Sequence, residues 1–332
     1  MRRLVVSLAV IAAFVLPPVN AGALPTLPPL AASPNVMLLG NIPGSFAGMV
    51  FKDHYAFATG WATGLTVFDI AVAAAPVPVG VLPLPHFENE DVDLCGDVLL
   101  VVNDRESRDL GSIMYVIDIS KRTSPTVEAV LPLGWTGGSE RGSGHIANFV
   151  TSDCKQAWVD GGARVEVVDL SNPKAPRSLG KFESEASKSP GFKVSHDTER
   201  DGHGILWSTG GGGAAGYRVT ENPLAPRLIG KTGPVGSNRS TWNDFIMHNS
   251  QRRGDTLLIT EEDYVDTDEV PPGSCHGQGK FETWDLTRLT EGKVTPLDKW
   301  KTELNGMLTG GARDSKAPVT ANCSSHWFDA RD

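Results

Sequence analysis

One unit is written five times along this chain, and copies of one short unit bury their apolar faces only by stacking on one another. The copies are Gly64-Leu-Thr-Val-Phe-Asp69-Ile, Ile113-Met-Tyr-Val-Ile-Asp118-Ile-Ser, Val165-Glu-Val-Val-Asp169-Leu-Ser-Asn172-Pro173, Gly216-Tyr-Arg-Val219-Thr-Glu-Asn222-Pro223 and Phe281-Glu-Thr-Trp-Asp285-Leu. In the first three a proline follows the aspartate at seven residues: Pro76, Pro125 and Pro176. Val219 replaces the aspartate in the fourth, with Pro226 still at seven. The alternating β-branched run is a strand. The Asp-x-Ser-Asn-Pro tail is turn chemistry, because Asp, Ser and Asn accept local backbone N–H bonds and Pro fixes φ.

Each unit belongs to a longer repeat. A short strand follows the last proline, as in Ser178-Leu-Gly-Lys-Phe182. Two more precede the unit, the nearer being Val98–Val102 or Gln156–Val159. Four strands in about 50 residues match one blade of a β-propeller. The fold class expected is therefore all-β, a propeller of four-stranded blades, with a β-sandwich as the competing architecture. Five full blades are expected within residues 35–332, plus partial first and last blades. Asn35–Asn41 resembles a last strand with no strands before it, and His326–Asp332 a first strand with none after it. An open ring leaves unpaired edges, so the reading expects the propeller to be incomplete at its C-terminus, a truncated product.

The Val-Val-Asp-Leu-Ser-Asn-Pro run resembles the LVIVD-repeat proteins, from about residue 40 onward. That resemblance implies a bacterial β-propeller, secreted or surface-bound, and implies little about activity. More distantly, a one-chain propeller with axial histidines is similar to the selenium-binding protein and methanethiol oxidase group, from which no residue is carried over.

The N-terminus reads as a secretory signal over residues 1–23, with a linker over 24–34. Arg2 and Arg3 form the basic head, Leu4–Leu16 the apolar run, and Ala21-Gly22-Ala23 the small-residue cleavage site. An uncleaved anchor is the alternative. The apolar run is short for a span, so no transmembrane segment is expected in the mature chain. The expected location is extracytoplasmic. The formal net charge is −9 at pH 7 and no basic run exists, which disfavours nucleic acid as a partner. A monomer is expected.

A histidine heads the first strand of successive repeats: His86, His145, His196, His248 and His326. In a propeller the first strands surround the axis, so one register position in every blade forms a ring at one mouth. Ser45 stands near the equivalent position of the first blade. Loops joining second to third strands open on the same upper face, and the long inserts fall there. Working residues concentrate on such loops. Asp160, Glu261 and Glu262 end second strands and should reach this rim, as should Asp104. Imidazoles with carboxylates suit Zn, Cu or Fe. Two other readings of the ring stand beside that one. The histidines are structural and bond neighbouring carbonyls, or they line a pocket for an organic ligand. Asp263, Asp266, Asp268 and Glu269 form an acidic loop, read as solvated, with calcium the lesser alternative.

Four cysteines in an exported chain favour disulfides. Cys95 and Cys154 each lie nine residues after a repeat histidine, and Cys275 and Cys323 fall in the two long upper-face loops. The expected pairing is Cys95–Cys154 and Cys275–Cys323, with reduced thiols as the alternative. Gly211–Gly216 matches a dinucleotide fingerprint only formally, since it precedes a strand, and is read as a loop. The functional expectation is an exported binding or interaction protein that takes a protein or small-molecule ligand on the upper face. The alternative is a metal-dependent oxidoreductase or hydrolase using the histidines.

Overall fold

The turn chemistry of the repeat is visible atom by atom. In the computed structural model, Asp69, Asp118, Asp169 and Asp285 each accept a hydrogen bond from the backbone N–H two residues on, at 2.7–2.9 Å. Asn172 and Asn222 do the same at 3.1 and 3.0 Å. These bonds close the chain after each third strand and return it as the fourth. The structure describes residues 35, 37, 39, 42, 44, 46–60, 63–84, 91–103, 112–133, 144–189, 193–232, 246–262, 280–300 and 325–330. The signal, the linker, Ser45, His86, Asp104, the acidic loop, Cys275 and Cys323 lie outside them.

Among the described residues, twenty strands form five four-stranded antiparallel sheets, the blades of a propeller. The first is β1 (Phe46–Lys52), β2 (Tyr55–Gly60), β3 (Gly64–Asp69) and β4 (Val77–Leu82). The second is β5 (Val92–Cys95), β6 (Val98–Asn103), β7 (Ser112–Asp118) and β8 (Thr126–Leu133). The third is β9 (Ile146–Phe149), β10 (Gln156–Asp160), β11 (Val165–Asp169) and β12 (Arg177–Phe182). The fourth is β13 (Ser195–Arg200), β14 (Leu206–Gly210), β15 (Gly213–Arg218) and β16 (Arg227–Lys231). The fifth is β17 (Ile246–Arg253), β18 (Thr256–Glu262), β19 (Phe281–Asp285) and β20 (Thr295–Trp300). Gly211 and Gly212 are the turn between β14 and β15, so the glycine run is a hairpin and not a nucleotide loop.

Cores lie between blades because both faces of each middle strand are buried. On β6, Leu99 and Val101 pack with Phe57, Leu65 and Val67 of the first blade. Leu100 and Val102 pack with Ala157 and Val159 of the third. Trp158 and Phe182 meet Leu206 and Tyr217 across the next interface, and Trp207 meets Ile259 and Trp284 across the last. A strand buried on both sides reads as a continuous apolar run, which is what Val98–Val102 is. Of the segment 35–41, only residues 35, 37 and 39 are described. Asn35 is in a turn, and Met37 and Leu39 are exposed. Among the described residues no helix is long and apolar enough to cross a membrane.

Cys95 and Cys154 form a disulfide with a Cα–Cα distance of 5.7 Å. It ties the β5–β6 turn to the β9–β10 turn. Closing a loop across a sequence separation of 59 residues restricts the unfolded chain. Replacing both cysteines by serine should cost about 3–4 kcal/mol, read as a lower urea midpoint with a steeper slope, since the unfolded chain becomes less compact.

Candidate metal centre

The histidines sit on irregularities of the first strands. In β13 the ladder pairs Ser195 with Gly210 and Asp197 with Thr209, leaving His196 as the extra residue. In β17 it pairs Met247 with Glu261 and Ser250 with Ile259, and His248 lies in the gap. Before β9, the N–H groups of Gly144 and His145 both donate to the Asp160 carbonyl, at 3.0 and 2.9 Å. Each is a bulge, a device that re-aims a side chain. The first blade has its bulge at the same place, between Phe46 and Gly48. The register therefore gives the equivalent position to Ala47, not to Ser45, and a methyl group ends the histidine series there. His326 lies in the segment 325–330 beside β17 and β18. Its N–H donates to the Glu261 carbonyl at 3.1 Å, and its φ is 45°.

Gly161 shows how closely this is built. Its φ is +116°, and a Cβ there would stand 2.5 Å from the His145 Cβ. Gly161→Val should displace His145 and destabilise the protein by about 2 kcal/mol through backbone strain, checked by thermal unfolding.

Four imidazoles converge. His145 Nε2 lies 3.1 Å from His196 Nε2. Ring centroids are 4.7 Å apart for His145–His196, 3.9 Å for His196–His248 and 4.1 Å for His248–His326. Glu262, the last residue of β18, reaches into the group. Its Oε2 lies 3.8 Å from both His196 Nε2 and His248 Nε2, and its Oε1 lies 3.5 Å from His326 Nε2. Ligand atoms of His196, His248 and Glu262 all fall within 4.8 Å of one another. His248 is fully buried and His196 nearly so.

The spacing fits an ion better than a hydrogen bond. Nitrogen–oxygen pairs at 3.5–3.8 Å are beyond hydrogen-bond range. Two ligands each about 2.0–2.2 Å from one metal stand no more than about 4.3 Å apart. Glu262 Oε2 is buried and accepts no hydrogen bond among the described residues. A bare carboxylate oxygen held there calls for a cation.

The other two expected rim residues sit elsewhere. Asp160 is buried behind the cluster, where its Oδ1 accepts from Ser195 Oγ at 2.5 Å. Burial pushes its pKa up to about 6. Glu261 alternates away from Glu262 and accepts from the Lys280 N–H at 3.1 Å. Sequence reasoning missed Asp93, Asp197 and Glu199. Burial raises Asp93 to about 6 and Asp197 to about 8, with the Asp160 charge adding to the latter. Glu199 is raised by burial and then by Asp197. Asp197 and Glu199 stand at the first and third positions after His196, a spacing visible in the sequence but indistinguishable there from a solvated strand face.

No protein-family model matches the chain, and no curated protein matches it. Among solved structures it is similar to a protein from Lactobacillus plantarum, 15% identical, with a TM-score of 0.51 over 74% of this chain and 67% of that one. It is also similar to a putative 6-phosphogluconolactonase from Bacteroides uniformis, 13% identical, TM-score 0.46, covering 76% of this chain and 84% of that one. The periplasmic gluconolactonase of Pseudomonas aeruginosa is 11% identical, with a TM-score of 0.47 over 76% and 84%. These likenesses are of fold alone.

Proposed function

We propose that this chain is an exported, LVIVD-like propeller that works as a metal-dependent enzyme. One divalent transition metal is held by His196, His248 and Glu262, with His145 and His326 at its flanks. The observation that carries this is the Glu262 carboxylate, set among three imidazole Nε2 atoms at 3.5–3.8 Å. A ring that only seals the axis needs no carboxylate in its middle, and a surface that only binds a partner needs none either. Two histidines and one carboxylate leave coordination positions open for water, O₂ or substrate. The metal supplies Lewis acidity, which polarises a bound group or lowers the pKa of bound water. Zn directs this to hydrolysis, and Fe or Cu to redox chemistry.

The test is elemental analysis of protein purified without chelators, then reloaded with Zn, Fe or Cu. One metal per chain is expected, and its identity chooses between hydrolase and oxidoreductase. If none of the three binds stoichiometrically, the enzyme reading ends in favour of binding through the upper face.

A further inference from the structure

The bulges that aim the histidines also leave backbone groups without ladder partners, because the extra residue of a bulge is unpaired. One threonine takes up such a group at His248, and a second takes up the carbonyl of His326, which lies outside any described ladder. Thr209 Oγ1 donates to the His248 carbonyl at 2.6 Å, and Thr260 Oγ1 donates to the His326 carbonyl at 2.5 Å. Both threonines are fully buried. Each also lies 3.4 Å from a carbonyl of its own first strand, Asp197 O for Thr209 and Asn249 O for Thr260. A hydroxyl has one proton, and the shorter contact takes it. The bond therefore leaves the sheet it starts in, ending on His248 of the following blade for Thr209 and on His326 of the segment 325–330 for Thr260.

The same register position does related work elsewhere. Thr209 pairs with the residue just after His196. Asp160 pairs with Ile146, just after His145. Its Oδ1 holds the Ser195 hydroxyl, one residue before His196. Three successive second strands thus put a polar side chain on the next histidine of the series or its neighbour. Fixing a carbonyl fixes its peptide plane, and with it the direction in which the adjoining Cα–Cβ bond points.

Resting on the metal reading above, we infer that Thr209 and Thr260 are positioning residues for the metal centre, Thr209 orienting His248 of the following blade and Thr260 orienting His326 of the segment 325–330. The site is then assembled blade by blade. Each ligand is set by its neighbour's second strand, not only by its own sheet. Outer contacts of this kind orient metal-binding histidines and commonly govern affinity by about 10–100-fold.

The experiment uses Thr209→Val and Thr260→Val, which keep the side-chain shape and remove only the hydroxyl, with Thr209→Ser and Thr260→Ser as rescues. Thr283→Val serves as control, since Thr283 bonds the Asp298 carbonyl on the exposed side of the fifth blade. Zn²⁺ affinity is measured by competition with a chromophoric chelator, and thermal unfolding confirms that each variant is folded. The expected result is about a 10–100-fold weaker Kd for Thr209→Val, a loss of no more than about tenfold for Thr260→Val, whose histidine flanks the metal, recovery to within about threefold for the serine variants, and no change for the control. Equal affinity in Thr209→Val and the parent overturns the inference, as does a serine variant as weak as the valine one. A second readout needs no metal: the ¹³C carbonyl resonance of His248, in selectively labelled chelator-treated protein. It should move in Thr209→Val and return in Thr209→Ser. A protein that binds no Zn²⁺ but shows this pattern has lost the metal reading and kept the strut. An unmoved resonance removes the strut itself. Should a valine variant not fold, Thr209→Ala carries the same two measurements.

Discussion

His248→Ala should leave a folded protein that holds Zn²⁺ about 10³-fold more weakly than the parent. A zinc site of protein ligands is worth about 10–16 kcal/mol near neutral pH. Removing one of three ligands takes away about a third of that, or roughly 4 kcal/mol, and each 1.4 kcal/mol is a factor of ten. His196→Ala should match it. Glu262→Gln should cost a similar amount, since the amide keeps the shape and loses the charge that the imidazoles cannot supply. His145→Ala and His326→Ala should cost about tenfold each. His145 Nε2 faces His196 and is not among the three groups whose ligand atoms lie within 4.8 Å. The ranking is the informative part. A His145→Ala loss as large as that of His196→Ala would show a four-histidine shell in place of the three-ligand one.

The fold was legible where the determinants are local. Asp169 with Ser171 and Pro176, and Asp118 with Ser120 and Pro125, write the same turn into each blade, and the turn fixes where the third strand ends. The run Val98–Val102 shows a strand covered on both faces. The disulfide partners could be read because Cys95 and Cys154 keep one distance from one repeat landmark. The site was legible only in outline. Histidine spacing gives the ring, but not which way any ring atom points. Alternation along a strand sorts residues between faces only while the register is regular, and a single extra residue reverses the sorting. The bulges at His196 and His248 do this at the positions that matter. Glu261 and Glu262 are adjacent and chemically alike, so composition cannot say which one reaches the imidazoles. Ala47 in place of Ser45 is the same error in the first blade. Thr209 and Thr260 look like ordinary strand residues, because their hydrogen bonds end some 40 to 65 residues further along the chain.

Chelator-treated protein should lose stability as pH rises from about 4 to about 8, the reverse of the acid-labile behaviour usual when carboxylates are salt-bridged. Glu282 is the clearest contributor. Burial, and then the charge of Glu261, push its pKa from 4.5 to about 8. Its Oε1 is buried and accepts no hydrogen bond among the described residues. Asp93 moves the same way, to about 6. A raised carboxylate keeps its proton in the folded state at a pH where the unfolded chain has given it up. Between the unfolded and folded values the folded state binds more protons, so stability falls with rising pH and levels off above the folded value. Glu282 should be a large single contributor to that fall. Glu282→Gln should flatten the slope and stabilise the protein at pH 8. The amide oxygen can still accept from Trp284 Nε1, which now donates to Glu282 at 2.9 Å, and the amide nitrogen offers Glu261 a donor. The metal-loaded protein should run the other way over pH 5–7, because ligand imidazoles must shed protons before they bind. The gap between loaded and chelated melting temperatures should therefore widen with pH. A gap that stays constant from pH 5 to pH 8 would mean that whatever metal is present does not sit on the histidines.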